Sequence, residues 1–273
     1  MRARRNIYPR LVRHFDEEAA TGRWSKRYEL ADGLTYHFHV RRQRVMEWLP
    51  EKLGRVADLG CGPGIMVPLI VERGGSFVGV DVAPEMIKEA TAKYGHLPDV
   101  SFQVGNIEAL DFPDDSFDQI VCMGVIEYLE QPLKALEEIG RVLRPGGMAL
   151  VSVSKRYHTD RLAAPLTAPV RWVARRLGAP GSGQVHRSGM QPRELDAAAA
   201  RGHMVSDGGS HYNFTPLPYP LTRLAPGLTR RVNEPFERFH RTRNWLLGSL
   251  ARGYLGCYRK PAERTQRPVD GSS

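Results

Sequence analysis

The chain has 273 residues, with 39 Lys and Arg against 30 Asp and Glu for a net charge of +9; 41% of its residues are hydrophobic and 25% charged. That composition excludes a disordered polymer and fits one large domain with appended helices. The charge is unevenly spread: residues 1–55 carry +6, residues 56–154 carry −9 and residues 155–273 carry +12.

No apolar run approaches the roughly 18 residues that a membrane span needs; Ile120 to Ile126 is only strand-sized. Cys61, Cys122 and Cys257 lie far apart and form neither a metal-ligand spacing nor a disulfide framework, which points to a reducing, cytoplasmic compartment with no metal site. The Arg-rich leader Met1 to Phe15 lacks an apolar core and runs into Asp16, Glu17 and Glu18, which argues against a secretory signal.

Residues 1–50 read as a basic helical arm in which Tyr28, Tyr36, Phe38 and Trp48 stand among arginines. From Val56 to Ser154, short apolar runs alternate with helical spacing. The predicted strands are Val56 to Leu59, Phe77 to Val80, Ser101 to Val104, Gln119 to Met123 and Met148 to Val153. The helices between them are Ile65 to Glu72, Glu85 to Lys93 and Leu133 to Leu143. Pro84 suits the first turn of a helix and Pro145-Gly146-Gly147 a stop before a strand. Such alternation predicts an α/β fold with a doubly wound, Rossmann-like, mostly parallel sheet.

After Ser154 the alternation gives way to a Pro-, Gly- and Arg-rich stretch in which Val170, Val173 and Leu177 share a helical face. A helix over Glu194 to Ala200 and a strand over His203 to Ser206 follow. A second amphipathic helix is predicted from Pro235 to about Gly253, with Phe236, Phe239, Leu246 and Leu250 on one side; the tail 261–273 is polar and reads as disordered. The division is thus an arm (1–50), a binding core (51–154), a cap with the last strands (155–260) and a tail.

The chemistry concentrates in Val56-Ala57-Asp58-Leu59-Gly60-Cys61-Gly62-Pro63-Gly64, where a strand turns into a helix. Three glycines allow a tight turn and close approach of a ligand to the backbone, beside the free N–H groups of a helix start. Asp81 ends the second strand, where a carboxylate can accept from both hydroxyls of a ribose; it sits too early to cap the next helix, because Pro84 makes Ala83 the nominal cap. A dinucleotide fingerprint needs glycine at position 65, which is Ile65.

The tighter GxGxG after Asp58-Leu59 resembles instead the first motif of class I S-adenosylmethionine-dependent methyltransferases, of the small-molecule, quinone-biosynthesis-like branch. Further stretches match in order: Val80 to Met86, Gly105-Asn106-Ile107-Glu108-Ala109-Leu110, Phe112 to Asp118, and Arg144-Pro145-Gly146-Gly147. The resemblance spans roughly residues 45–154 and implies a seven-stranded sheet and S-adenosyl-L-methionine as cofactor. It implies that Asp58, Gly60, Gly62 and Gly64 border the methionine and ribose, that Asp81 binds the ribose and that Val82 and Met86 lie on the adenine. Asn106 and Ile107 would hold the adenine's edge and other face, and Met123 and Gly124 would line the pocket after the fourth strand. Two positions depart from the pattern: Asn106 stands where the family usually has Asp, and Glu127-Tyr128 where Glu-His is common.

Methyl transfer from a sulfonium demands alignment of a nucleophile, exclusion of water and, for a hydroxyl acceptor, removal of a proton. With His absent at position 128, the sequence names no catalytic base; His158, His186 and His211 fall near the expected substrate mouth. Met123-Gly124-Val125-Ile126 occupies the place of an Asn-Pro-Pro-Tyr/Phe-like tetrapeptide, which disfavours exocyclic adenine amines and glutamine amides as acceptors. The expectation is methyl transfer to a small hydrophobic or lipid-like metabolite, at O, N or C. Alternatives are an RNA or protein methyltransferase using the basic flanks, and a non-catalytic cofactor-binding interaction protein. The +12 segment is read first as a lid, next as a surface for peripheral contact with an anionic membrane through Phe236, Phe239 and Trp245, and last as a nucleic-acid surface.

Overall fold

In the computed structural model, which describes residues 8–29, 36–158, 188–215 and 226–262 together with a few single positions between 159 and 187, the apolar runs of the centre do become strands. They are β1 (Arg55–Leu59), β2 (Ser76–Asp81), β3 (Val100–Val104), β4 (Phe117–Met123) and β5 (Leu143–Ser154), and each neighbouring pair among them is parallel. Near-continuous burial along β1, β2 and β4 reflects helices on both faces.

Two later strands complete a seven-stranded sheet of order β3-β2-β1-β4-β5-β7-β6. They are β6 (Val205–Phe214) and β7 (Ala251–Arg259), and β7 runs antiparallel to both β5 and β6. The C-terminal third therefore supplies the last two strands of the sheet.

Residue alternation sends Ala57, Leu59, Ile120 and Val151 to one core, against α6 (Pro132–Val142) and α7 (Pro192–Arg201). Val56, Phe77, Val121 and Leu150 face a second core with α3 (Tyr36–Trp48), α4 (Val67–Val71) and α5 (Pro84–Tyr94). Pro84 opens α5 at its first position, as predicted. The N–H of Glu85 in that first turn is accepted by Asp16 Oδ1 at 3.1 Å, from α1 (Tyr8–Ala20). The arm, α1 and α2 (Arg23–Glu29) followed by α3, is thereby tied to the core by a helix cap supplied in trans.

The amphipathic helix predicted from Pro235 to Gly253 does not form. Glu234–Phe239 is a 3-10 turn, Asn244 starts a separate short helix over Trp245–Ser249 by accepting from the N–H of Leu246, and β7 begins at Ala251. Asn244 divides the stretch into separate turns, and the glycines of β7 suit its strand packing. A Cβ on Gly253 would lie 2.2 Å from the ring of Tyr212, and one on Gly256 2.4 Å from Tyr258, so this stretch is shaped to pack flat under aromatic side chains. The helical face expected at Val170, Val173 and Leu177 and the tail from 263 onward lie outside the described residues.

Candidate active site

Parallel strands leave their carboxyl ends open where the strand order reverses, between β1 and β4. A cleft lies there, floored by the β1 and β4 ends and roofed by the arm. Of the residues singled out in the sequence, Asp58, Gly60, Gly62, Asp81, Val82, Met86, Asn106, Ile107, Met123 and Gly124 all line it. Gly64 does not: its φ of 77° serves the turn, and its α-carbon faces the ring of Tyr94.

Gly60 has φ 78°, and a Cβ there would stand 2.1 Å from Val125 Cγ2, so the first loop can lie under the post-β4 segment only as glycine. Asp81 is buried and locks the same loop: its Oδ2 accepts from Gly62 N at 2.9 Å and its Oδ1 from Ala83 N at 3.0 Å. The N-cap of α5 is Ala83, as expected, so Asp81 does not cap the helix but shapes the turn that leads into it. Burial raises its pKa while these N–H bonds work against that shift. The carboxylate is held in place before any ligand arrives.

Asp58 is the opposite case. It is buried, and neither carboxylate oxygen has a hydrogen-bond partner. Burial first, and the neighbouring Asp81 charge second, push its pKa up to about 7, with Arg41 pulling the other way. An orphaned buried carboxylate on a cleft wall is a receptor for a cationic group.

Arg41, on α3, stands behind the cleft wall and is not among the residues singled out in the sequence. Its guanidinium is pressed against Gly124, where a Cβ would stand 2.0 Å from Nη1. Nη2 donates to Tyr28 OH at 2.8 Å, while Nε has no partner. Gly124 N donates to Ser152 Oγ at 2.8 Å, which fixes the post-β4 turn. The only sequence signal was an arginine among several in the arm; its meeting with Gly124, 83 positions on, is a tertiary fact.

The other wall is apolar. Val82, Met86 and Ile107 form a slot, the last two buried. Asn106 Oδ1 accepts from Glu108 N at 2.9 Å, so the amide keeps the turn contact that a carboxylate would make. Tyr8, Phe15, Trp24 and Tyr28 of the arm and Tyr128 complete the lining. Phe15 meets Trp24 and Tyr128 edge to face, at 5.4 Å in each case.

Glu127 is buried with Oε1 accepting from Ser154 Oγ at 2.8 Å, a tie between the post-β4 segment and β5. Of the three histidines, His211 lines a different groove and burial lowers its pKa to about 4; His158 lines neither that groove nor the cleft; His186 lies outside the described residues.

Residues 57–151 match the family described as "Methyltransferase domain". Over 174 residues the chain is 30% identical to a ubiquinone biosynthesis O-methyltransferase of Paracidovorax citrulli, covering 62% of this chain and 69% of that protein. It is 36% identical over 108 residues to an uncharacterized methyltransferase of Schizosaccharomyces pombe, covering 36% of this chain and 38% of that protein. The fold is shared with a Haloferax volcanii methyltransferase solved in complex with the Trm112 methyltransferase activator (TM-score 0.62, 23% identity, 90% of this chain and 97% of that one).

Fold, glycine loop and strand-end carboxylates define an S-adenosylmethionine-binding α/β domain. The chain belongs to the class I S-adenosylmethionine-dependent methyltransferases. Its cofactor is S-adenosylmethionine, and the residues present fit it: an apolar slot for a base, a prepositioned carboxylate at the second strand's end and a buried Asp58 carboxylate with no partner on either oxygen.

Proposed function

We propose that this enzyme methylates a small hydrophobic or lipid-like acceptor, and that the aromatic roof of the cleft is the observation that carries this reading. S-adenosylmethionine supplies, when bound, an electrophilic methyl group on a sulfonium. The work left to the chain is binding, orientation and exclusion of water.

Asp81 takes the ribose hydroxyls with the lone pairs that Gly62 N and Ala83 N leave free. Asp58 takes the methionine ammonium, and Arg41 the methionine carboxylate, so that one amino-acid zwitterion meets the unpartnered Asp58 oxygens and the unpartnered Arg41 Nε. Val82, Met86 and Ile107 hold the adenine. Phe15, Trp24, Tyr28 and Tyr128 then present ring faces and edges to the acceptor and keep water from the methyl group.

Tyr128 replaces the histidine common in the quinone-biosynthesis-like branch, and it packs edge to face on Phe15. The acceptor is therefore one that this position orients by stacking rather than deprotonates. The P. citrulli relative's name places that protein in ubiquinone biosynthesis; a flat aromatic or lipid-linked acceptor for the present enzyme is in keeping with the roof. The test is incubation with S-adenosylmethionine labelled in its methyl group and a cell extract separated into lipid, small-molecule, RNA and protein pools. Label in the lipid or small-molecule pool is expected; label confined to RNA or protein would overturn the reading.

A further inference from the structure

Away from the cleft, a groove runs beside β6, between the segment after β5 and the turn that precedes β7. Its lining is strongly cationic. Lys155, Arg193, Arg241 and Arg243 face it against one acid, Asp207, which already accepts from Arg259 Nε at 2.8 Å.

Lys155 is 4% exposed, and its Nζ donates to Gly248 O at 2.5 Å. Among the described residues no carboxylate pairs with it, and burial lowers its pKa to about 8. His211 and the arginines of the rim are the other titratable or charged groups around it. A buried cation without a counter-charge costs stability unless an anion comes near.

The same ammonium anchors an apolar knob. Gly248 belongs to the short helix Trp245–Ser249, and it packs on the His211 ring, 3.2 Å separating a Cβ there from Nε2. Asn244 caps that helix through Leu246 N and Leu247 N. Trp245 and Leu246, in its first turn, are consequently held outward, 77% and 56% exposed, with Tyr157 across the groove at 60%. A rigid Trp–Leu tip beside a cluster of cations is the pattern that rests in the interfacial layer of a bilayer, the rings among head groups and the cations on phosphates.

We propose that this face docks the enzyme on anionic membrane surfaces, with Trp245 and Leu246 inserting at the interface, Arg193, Arg241 and Arg243 meeting lipid phosphates, and the buried Lys155 holding the tip in place through Gly248 O. A soluble anion would use the cations but has no need of the exposed tip. The inference does not rest on the assignment of the methyl acceptor, and none of these residues lines the cofactor cleft.

The test is co-sedimentation of the full chain with vesicles of equal parts phosphatidylglycerol and phosphatidylcholine, and with pure phosphatidylcholine. Anionic vesicles should carry the protein down in low salt and release it in high salt. Trp245→Ser/Leu246→Ser should abolish sedimentation. Arg193→Gln/Arg243→Gln should weaken it roughly 30-fold, at about 1 kcal/mol for each basic residue near the surface. S-adenosylmethionine affinity, measured on the same samples, should stay unchanged and reports that the variants are folded.

Absence from the anionic pellet at low salt would overturn the proposal. So would retained sedimentation of the Trp245/Leu246 variant, binding of glycerol phosphate without vesicle binding, or self-association through the tip in place of vesicle binding.

Discussion

Asp58 and Asp81 are two carboxylates at neighbouring strand ends that the protein treats in opposite ways, and their difference yields two measurements. Asp58 has a folded-state pKa near 7 against an ordinary value of 3.8, because burial disfavours its charge. A raised carboxyl pKa means that the folded chain holds its proton more tightly than the unfolded chain, so this contribution to stability is lost as pH rises from about 4 through 7. An ammonium beside Asp58 reverses that loss, so the rise in Tm caused by S-adenosylmethionine should grow between pH 5.5 and 7.5. Asp58→Asn should flatten that growth; an unaltered pH profile in the variant would place the ammonium elsewhere. Asp81 is already bonded to Gly62 N and Ala83 N. Asp81→Ala should cost the ligand-free protein about 1–3 kcal/mol by stranding buried N–H groups, and should weaken cofactor binding about 100-fold through lost charged hydrogen bonds. Thermal melts and calorimetric titration separate the two effects. Both aspartates were legible in the sequence, because a strand followed by a glycine-rich turn places its last residues by local geometry alone. Arg41 was not, since nothing in its own neighbourhood distinguishes it from Arg42 or Arg44; only the glycine at 124, with a guanidinium where a Cβ would be, reveals it.

The elements differ in how much of their placement was written locally. β1 to β5 and the helices between them follow from periodicity, Pro84 and the glycines, because each helix packs on the strands adjacent in sequence. β7 was misread because Phe236, Phe239, Leu246 and Leu250 keep helical spacing across a stretch that Asn244 and Gly248 divide into separate turns, and because its strand identity comes from pairing with β5 and β6 rather than from its own pattern. The arm was legible as helical, but not as the roof of the cofactor cleft: α1 reaches α5 through Asp16, and its Phe15 packs on Trp24 and Tyr128. That roof gives the element-scale prediction. Phe15→Ala/Trp24→Ala should raise the dissociation constant for S-adenosylmethionine about tenfold, in line with about 1–2 kcal/mol for half-buried aromatic area, and should speed dissociation more than it slows association. Stopped-flow exchange of bound cofactor checks this. An unchanged dissociation rate would mean that α1 and α2 do not close the cleft.

Across the whole molecule the net charge of +9 averages two unlike surfaces. The −9 centre carries the cleft, whose carboxylates suit a ligand with an ammonium and a sulfonium; the basic C-terminal segment supplies most of the β6 groove, where cations stand beside an exposed Trp–Leu tip. Among the described residues no helix is long and apolar enough to cross a membrane, so the proposed contact is with its surface. Salt should separate the two functions, abolishing vesicle docking while cofactor affinity changes little, since buried pairs are screened far less than exposed ones. The central claim is that the β1–β4 cleft holds S-adenosylmethionine through Asp81 and the Asp58–Arg41 pair. Isothermal titration of S-adenosylmethionine into the wild type, Asp81→Ala and Arg41→Met tests it most directly. One site per chain is expected, with each substitution weakening the affinity at least tenfold; no binding heat in the wild type, or equal affinities in all three proteins, would contradict it.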